Sequence, residues 1–409
     1  MAACRLCGTP LAHLVVDLGM SPLCESYRAA HELDRMEPFY PLRAHVCERC
    51  FLVQVDEYVS PAEIFGEYAY FSSYSESWLA HARSYTEMIV ARLGLDARSL
   101  VVELGSNDGY LLQYFVARDI PVLGVEPARN VAAAALARAV PTRVALFGRD
   151  EARTLVAEGR QADLVIGNNV LAQVSDVNDF VAGIAELLAP DGVVTLEFPH
   201  LTRLLAEVQF DTIYHEHFSY FSLATAEHAL AAHGLRVFDV EELSTHGGSL
   251  RIYGCRAPSS RWQMGAHVDR LRGAERDAGL ERLETYAAFA ERVEEVKHGL
   301  LDFLIGCRRR GERVVGYGAP GKGNTLLNYC GIRSDLLAYT VDRNPYKQGK
   351  FLPGTHIPIF APEHIAATRP DYVLILPWNL RAEIVEQMAD IREWGGRFVV
   401  AIPRVEVHS

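Results

Sequence analysis

The stretch from Leu100 to Glu126 constrains this chain most. It reads as an apolar strand (Leu100, Val101, Val102), a turn Glu103-Leu-Gly-Ser-Asn-Asp-Gly109, a helical run from Tyr110 to Ala117 and a second strand ending at Val125 and Glu126. That order of parts opens a nucleotide-binding α/β fold. Gly105 and Gly109 let the backbone turn tightly and approach a ligand. Glu126 stands 21 residues beyond Gly105, where an acid accepts hydrogen bonds from ribose hydroxyls. The two glycines are four apart and share the turn with Glu103 and Asp108, so the spacing is not the dinucleotide fingerprint. Carboxylates there repel a pyrophosphate but tolerate a ligand with a cationic centre. S-adenosylmethionine, with a sulfonium, an amino group and a ribose, is such a ligand.

The alternation continues with helix Val131 to Ala137, strand Arg143 to Phe147, helix Arg149 to Ala157, strand Asp163 to Gly167, helix Val177 to Leu188 and strand Gly192 to Phe198. Strands separated by helices of this length predict a parallel sheet with helices on both faces. Ligands then lie across the carboxyl ends of the strands, where Glu103, Glu126, Asn168, Asn169, Gln173, Glu197 and His200 stand.

A chain of 409 residues, 49% hydrophobic, predicts two or three domains with real cores. Its net charge of -12 argues against nucleic acid as a partner. No apolar run approaches the roughly 18 residues of a membrane helix, and the N-terminus shows no secretory pattern, so the chain reads as soluble and cytoplasmic. Eight cysteines are then thiols or metal ligands more readily than disulfides. Cys4-Arg-Leu-Cys7 and Cys47-Glu-Arg-Cys50 each wrap two thiolates around one ion, and together they complete a closed, structural zinc site. The other four, Cys24, Cys255, Cys307 and Cys330, lack such spacing and read as core residues.

Between Tyr58 and Ser77 the chain is dense in tyrosine, phenylalanine and serine, Tyr68 and Tyr70 among them, which suits a pocket wall or interdomain packing equally. A helix follows from Trp78 to Leu93. Asp211-Thr-Ile-Tyr-His-Glu-His-Phe-Ser-Tyr-Phe-Ser222 carries the most chemistry, offering a histidine base, a carboxylate to orient it and a phenol. Its His-Glu-His lacks the i, i+4 spacing of a metalloprotease helix. A helix Leu223 to His233 and a strand Leu235 to Val240 precede Thr245-His-Gly-Gly-Ser-Leu-Arg-Ile-Tyr253, whose paired glycines can expose backbone N–H groups. From Arg270 to Arg310 the pattern is helical. A second βαβ series then begins with strand Arg313 to Val315, Gly316-Tyr-Gly-Ala-Pro-Gly321-Lys-Gly-Asn, helix Thr325 to Cys330 and strand Leu336 to Val341 ending at Asp342. The GxGxxG spacing and Asp342 suggest NAD, whereas Pro320 and Lys322 at the helix mouth favour another nucleotide diphosphate. Strands Tyr372 to Leu376 and Phe398 to Ile402 complete this half, with Trp378 placed to stack on a base.

The order of parts resembles the sugar C-methyltransferases of deoxysugar biosynthesis over essentially the whole chain. The resemblance is carried by the two CxxC pairs, Glu103-Leu-Gly-Ser-Asn-Asp-Gly109, Asn168-Asn-Val-Leu-Ala, Glu197-Phe-Pro-His200, Tyr214-His-Glu-His-Phe-Ser219, Thr245-His-Gly-Gly-Ser-Leu250 and Gly316-Tyr-Gly-Ala-Pro-Gly-Lys-Gly323. It implies a zinc-binding module over residues 1–75, a class I methyltransferase domain with a doubly wound sheet over 76–265, a helical linker over 266–310 and a Rossmann-like domain over 311–409. It implies S-adenosylmethionine as methyl donor, held by Glu103, Gly105, Asn107, Gly109, Glu126, Asn168 and Asn169. The implied substrate is a dTDP-4-keto-deoxysugar methylated at C3, next to the ketone, through an enolate. His217 is then the base, Tyr214 and Glu216 its neighbours, and Tyr68 a further phenol for the enolate oxygen. Tyr70, Gln173, His200, Gly318, Lys322, Asn324, Asp342, Lys347, Trp378 and Asn379 are the implied substrate contacts, and a monomer is the expected state. Related sequences usually end the fourth strand in Asn-Val-Leu-Ala-His, and here Gln173 replaces the histidine. A NAD-dependent oxidoreductase acting on a nucleotide sugar is the rival reading.

Overall fold

The computed structural model describes residues 2–66 and 71–408. Tyr68 and Tyr70 lie outside the described residues. The chain opens with strands β1 (His13–Ser21), β2 (Tyr40–Val46) and β3 (Val53–Val55). These alternate inward Val15, Leu18, Leu42, Ala44 and Val46 with outward polar residues, the pattern of a sheet with one covered face. A helix Glu76–Leu93, capped by the Ser75 hydroxyl and stopped at Gly94 in the left-handed conformation, leads into the next sheet.

That sheet comprises β4 (Val101–Leu104), β5 (Val122–Val125), β6 (Thr142–Arg143), β7 (Ala162–Asn168) and β8 (Leu188–Pro199), all parallel, joined further on by a hairpin. Before the hairpin, the short strand β9 (Ser219–Tyr220) leaves to pair with β3, so the first sheet has the order β1-β2-β3-β9. The hairpin strands β10 (Leu235–Leu243) and β11 (Ser249–Arg256) complete the order β10-β11-β8-β7-β4-β5-β6, with β11 alone reversed. This is a class I methyltransferase sheet, mixed where the sequence suggested all-parallel. Helices Ala266–Asp277 and Phe289–Arg310 lead to a third sheet. Its strands are β12 (Val314–Tyr317), β13 (Thr340–Val341), β14 (Ile359–Phe360), β15 (Tyr372–Ile375), β16 (Arg397–Val400) and β17 (Glu406–His408), in the order β14-β13-β12-β15-β16-β17 and parallel except for the last.

Three elements are shorter than their apolar runs suggest. The strand expected over residues 143–147 keeps only Thr142–Arg143 in the sheet, because Ala145, Leu146 and Phe147 turn away to line a cavity. The helix expected from Tyr110 is regular only over Gln113–Val116. The strand expected from Leu336 pairs only at Thr340–Val341.

Candidate functional site

A single cavity of about 460 Å³ runs from the carboxyl ends of β4, β5 and β7 to the loop 210–222 and the start of the helix Gly321–Cys330. Gly105 turns at φ 64°, and a Cβ there would lie 3.1 Å from Val170. Asn107 adopts φ 49°, its N–H donates to Glu126 Oε2 at 2.9 Å, and the Ala128 N–H donates to Glu126 Oε1 at 2.8 Å. Burial pushes the Glu126 carboxyl up while these two N–H groups hold it down. Gly109, at φ 77°, packs on Val140 and gives this turn its shape.

Asn168 and Asn169 follow β7 and line the cavity. Both polar side-chain atoms of Asn168 and Oδ1 of Asn169 are buried without a protein partner. Such atoms are costly unless a ligand satisfies them. Orphaned amides beside a glycine turn with a free approach and an acid at the second strand fit an adenosine-type ligand with a cationic centre. Glu103 is fully buried beside this region and does not line the cavity, and burial pushes its carboxyl well up.

Tyr214, Glu216 and His217 reach the same cavity. The His217 Nδ1–H donates to the Thr212 carbonyl at 3.0 Å, which leaves the lone pair on Nε2, and the Tyr214 hydroxyl donates to that nitrogen at 2.9 Å. Burial pulls His217 down to about 3, so the imidazole is neutral and its Nε2 lone pair is unprotonated. Glu216 does not orient it, contrary to expectation. Its Oε1 accepts from the Cys24 thiol at 3.4 Å, because the carbonyl of Thr212 already holds the far side of the ring.

At the other end Lys322 and Lys347 line the cavity. The Lys322 ammonium donates to Asn379 Oδ1 at 2.8 Å and lies 4.6 Å from the Trp378 ring. The Lys347 ammonium donates to the Ala319 carbonyl at 2.9 Å and is 3.5 Å from Glu25. Gln173 and Asn379 line the cavity as well.

Five expected contacts lie elsewhere. Asp342 accepts from the N–H groups of Ala319 and Asn344, closing the turn after β12 that includes Gly318. Asn324 donates to the Cys24 carbonyl at 2.6 Å. His200 is buried against Glu275 and Thr202. The Trp378 indole N–H donates to Asp211 at 2.7 Å and its ring packs on Gly247, so it is committed to the protein and is not a base platform.

The four sulfurs of Cys4, Cys7, Cys47 and Cys50 lie within 4.8 Å of one another, with Cys4 to Cys50 and Cys7 to Cys47 both at 3.5 Å. Four thiolates at this separation fit one tetrahedral ion.

A zinc binding domain profile matches residues 4–65, a methyltransferase domain profile residues 78–240 and a C-methyltransferase C-terminal domain profile residues 244–403. The C-methyltransferase NovU of Streptomyces niveus is 38% identical over 406 residues, spanning 99% of this chain and 96% of the relative. The chain belongs to the C-methyltransferase family. Among solved structures it is similar to magnesium protoporphyrin IX methyltransferase from Synechocystis PCC 6803 with bound S-adenosylmethionine, at 16% identity and TM-score 0.33, covering 44% of this chain and 82% of that one. It is also similar to the CcbJ methyltransferase of Streptomyces caelestis, at 15% identity and TM-score 0.34, covering 43% and 89%. This C-methyltransferase uses S-adenosylmethionine and carries a structural zinc site. Among the described residues no helix is long and apolar enough to cross a membrane.

Among the residues that line the cavity of the C-methyltransferase, sequence reasoning did not single out the chemically capable Cys24, Glu25, Trp78 and His246. Only His246 carried a usable signal, as an imidazole inside a glycine-rich hairpin tip. Cys24 and Glu25 come from a loop whose place on the cavity depends on contacts with Glu216 and Lys347, distant in sequence.

Proposed function

We propose that this C-methyltransferase methylates a carbon alpha to the ketone of a nucleotide-linked 4-keto-deoxysugar, C3 of a dTDP-sugar being the best fit. The observation that carries the reading is that one cavity is lined by the glycine turn and orphaned amides, by the Tyr214–His217 pair, and by two ammonium groups beside a helix N-terminus. A diphosphate suits Lys322, Lys347 and the first N–H groups of the helix Gly321–Cys330. Glu126 takes the ribose of the donor, and Asn168, Asn169, Gly105 and Asn107 take its remaining polar groups. Bound there, S-adenosylmethionine supplies a methyl group on a sulfonium, which an enolate carbon accepts.

His217 generates that enolate. Its Nε2 lone pair is covered by the Tyr214 hydroxyl, so the proton leaving carbon passes to the phenol oxygen as the phenol proton passes to His217. Such acid–base help contributes about 10²–10⁴-fold. A dehydrogenase is disfavoured because Asp342, the acid that the second glycine turn would offer to a dinucleotide ribose, closes the turn after β12 and does not line the cavity, whereas Glu126 does.

The test is incubation of purified protein with a dTDP-4-keto-6-deoxysugar and S-adenosylmethionine, followed by mass spectrometry. A product heavier by one methyl is expected. His217→Ala is expected to lower kcat at least about 100-fold with S-adenosylhomocysteine binding unchanged, and Tyr214→Phe to lower it by a similar order. Absence of the methylated product from the wild-type reaction would sink the substrate assignment.

A further inference from the structure

His246 stands at the tip of the β10–β11 hairpin and lines the cavity with Tyr214 and His217. Its backbone is left-handed, at φ 54° and ψ 20°, a conformation disfavoured for a residue with a Cβ and therefore one that its surroundings must enforce. Those surroundings are on both sides. The Thr245 hydroxyl donates to Glu197 at 2.9 Å, and Glu197 is itself fixed by Arg251 and His81. A Cβ on Gly247 would lie 2.3 Å from the Trp378 ring, and one on Gly248 would lie 2.7 Å from the Arg203 side chain. The edge of the imidazole meets Trp78, with ring centroids 5.0 Å apart. The ring is thus held by β8, by the helix Glu76–Leu93 and by the C-terminal domain together.

The two nitrogens of that ring differ. Nδ1 is closed off from solvent and has no hydrogen-bond partner. A buried N–H without an acceptor is rarer and costlier than an under-used acceptor, so Nδ1 carries the lone pair and the proton resides on Nε2, the nitrogen the cavity can reach. Burial, with Lys322 adding to it, pulls His246 down to about 4, so the ring stays neutral. His217 has the opposite tautomer, with its proton on Nδ1 and its lone pair on Nε2. One cavity therefore presents a neutral imidazole acceptor and a neutral imidazole donor.

We propose that His246 donates its Nε2–H to the ketone oxygen of the substrate and supports the negative charge that forms there. The inference rests on the ketone reading above. As the proton leaves the alpha carbon for the Tyr214 oxygen and the Tyr214 proton moves to His217, the C–H electron pair forms the enolate double bond. The carbonyl π pair then moves to oxygen, where His246 meets it without giving up its proton. A neutral imidazole is suited to this because its N–H acidity is closer to that of an enol than an imidazolium's would be.

Enolisation can be read without the methyl donor, as exchange of the alpha hydrogen of a dTDP-4-keto-6-deoxysugar with deuterated water, followed by NMR. Wild type is expected to exchange. His246→Ala is expected to slow exchange and methyl transfer together by at least about 100-fold, with KM for the sugar nucleotide within a few-fold of wild type. His246→Gln, whose amide N–H reaches the Nε2 position, is expected to recover most of the rate, and His246→Asn, whose amide lies near the Nδ1 position, much less. Undiminished exchange in His246→Ala overturns the proposal, and so does a Gln variant no faster than the Asn variant. If the alanine variant does not fold, judged by loss of S-adenosylhomocysteine binding, the Gln-to-Asn ratio alone decides. Failure of wild type to exchange the ketone overturns the substrate reading instead, and His246 with it.

Discussion

Asp211 shows how a single buried charge links the candidate site to stability. It is fully buried, Oδ2 accepts the Trp378 indole N–H, and Oδ1 has no partner. Burial pushes its carboxyl up to about 6, against the opposing charge of Lys322. A carboxyl raised on folding binds its proton more tightly in the native state, so its contribution is full below about pH 4 and is lost as pH rises through about 6. The expected cost across that window is on the order of 3 kcal/mol. Asp211→Asn keeps an acceptor for Trp378 and removes the ionisation. Its unfolding free energy, from urea titrations at pH 4, 5, 6 and 7, is expected to lack the wild-type fall, and an unchanged pH dependence would refute the assignment. At this scale the sequence was partly legible. The loop 211–222 announced His217 and Tyr214 by residue type, but composition cannot say which group faces which. Residue type alone therefore pairs Glu216 with His217, a place the Thr212 carbonyl takes.

The β10–β11 hairpin is where element geometry meets chemistry. Its tip needs two consecutive glycines, Gly247 at φ 90° and Gly248 at φ 117°, so that the chain can pass against Trp378 and Arg203. Gly247→Ala adds a methyl 2.3 Å from the indole in a conformation costing about 1–3 kcal/mol for a residue with a Cβ, and overpacking adds about as much again. The variant is expected to melt several degrees lower and to lose at least tenfold in kcat/KM. Combining it with Trp378→Leu is expected to restore part of the melting temperature, since the clash is shared by the two residues. Equal losses in single and double variants would show that the contact is not the cause. The sequence marked this tip by Gly-Gly alone. It gave strand positions from apolar runs but overstated strands where those apolar residues face a cavity, as Ala145, Leu146 and Phe147 do.

In the whole molecule, the cysteine site is coupled to the candidate catalytic loop through Arg5, which lies inside the first CxxC. Its guanidinium is 5.3 Å from the Phe218 ring, next to His217, and donates to the carbonyls of Val55 and Ser175. The Arg5 and Leu6 carbonyls in turn accept from Asn178. Strand β9, immediately after Phe218, is hydrogen-bonded to β3 and so belongs to the sheet this knuckle supports. A link between residues 53 and 220 leaves no local trace in sequence, which is why the segment 1–75 looked self-contained. Four thiolates close the zinc shell, so the ion has no open position for chemistry, and its effect on turnover must pass through these contacts. Gly105, Glu126 and Asn168, by contrast, hang on β4, β5 and β7 in the central sheet. Removing zinc with a chelator, or Cys47→Ser, is therefore expected to lower kcat at least tenfold while S-adenosylhomocysteine affinity, measured by titration calorimetry, changes less than threefold. Parallel loss of both would mean that the central sheet cannot stand without the zinc site, and full activity in the zinc-free protein would mean that the loop carrying His217 is held by the central sheet alone.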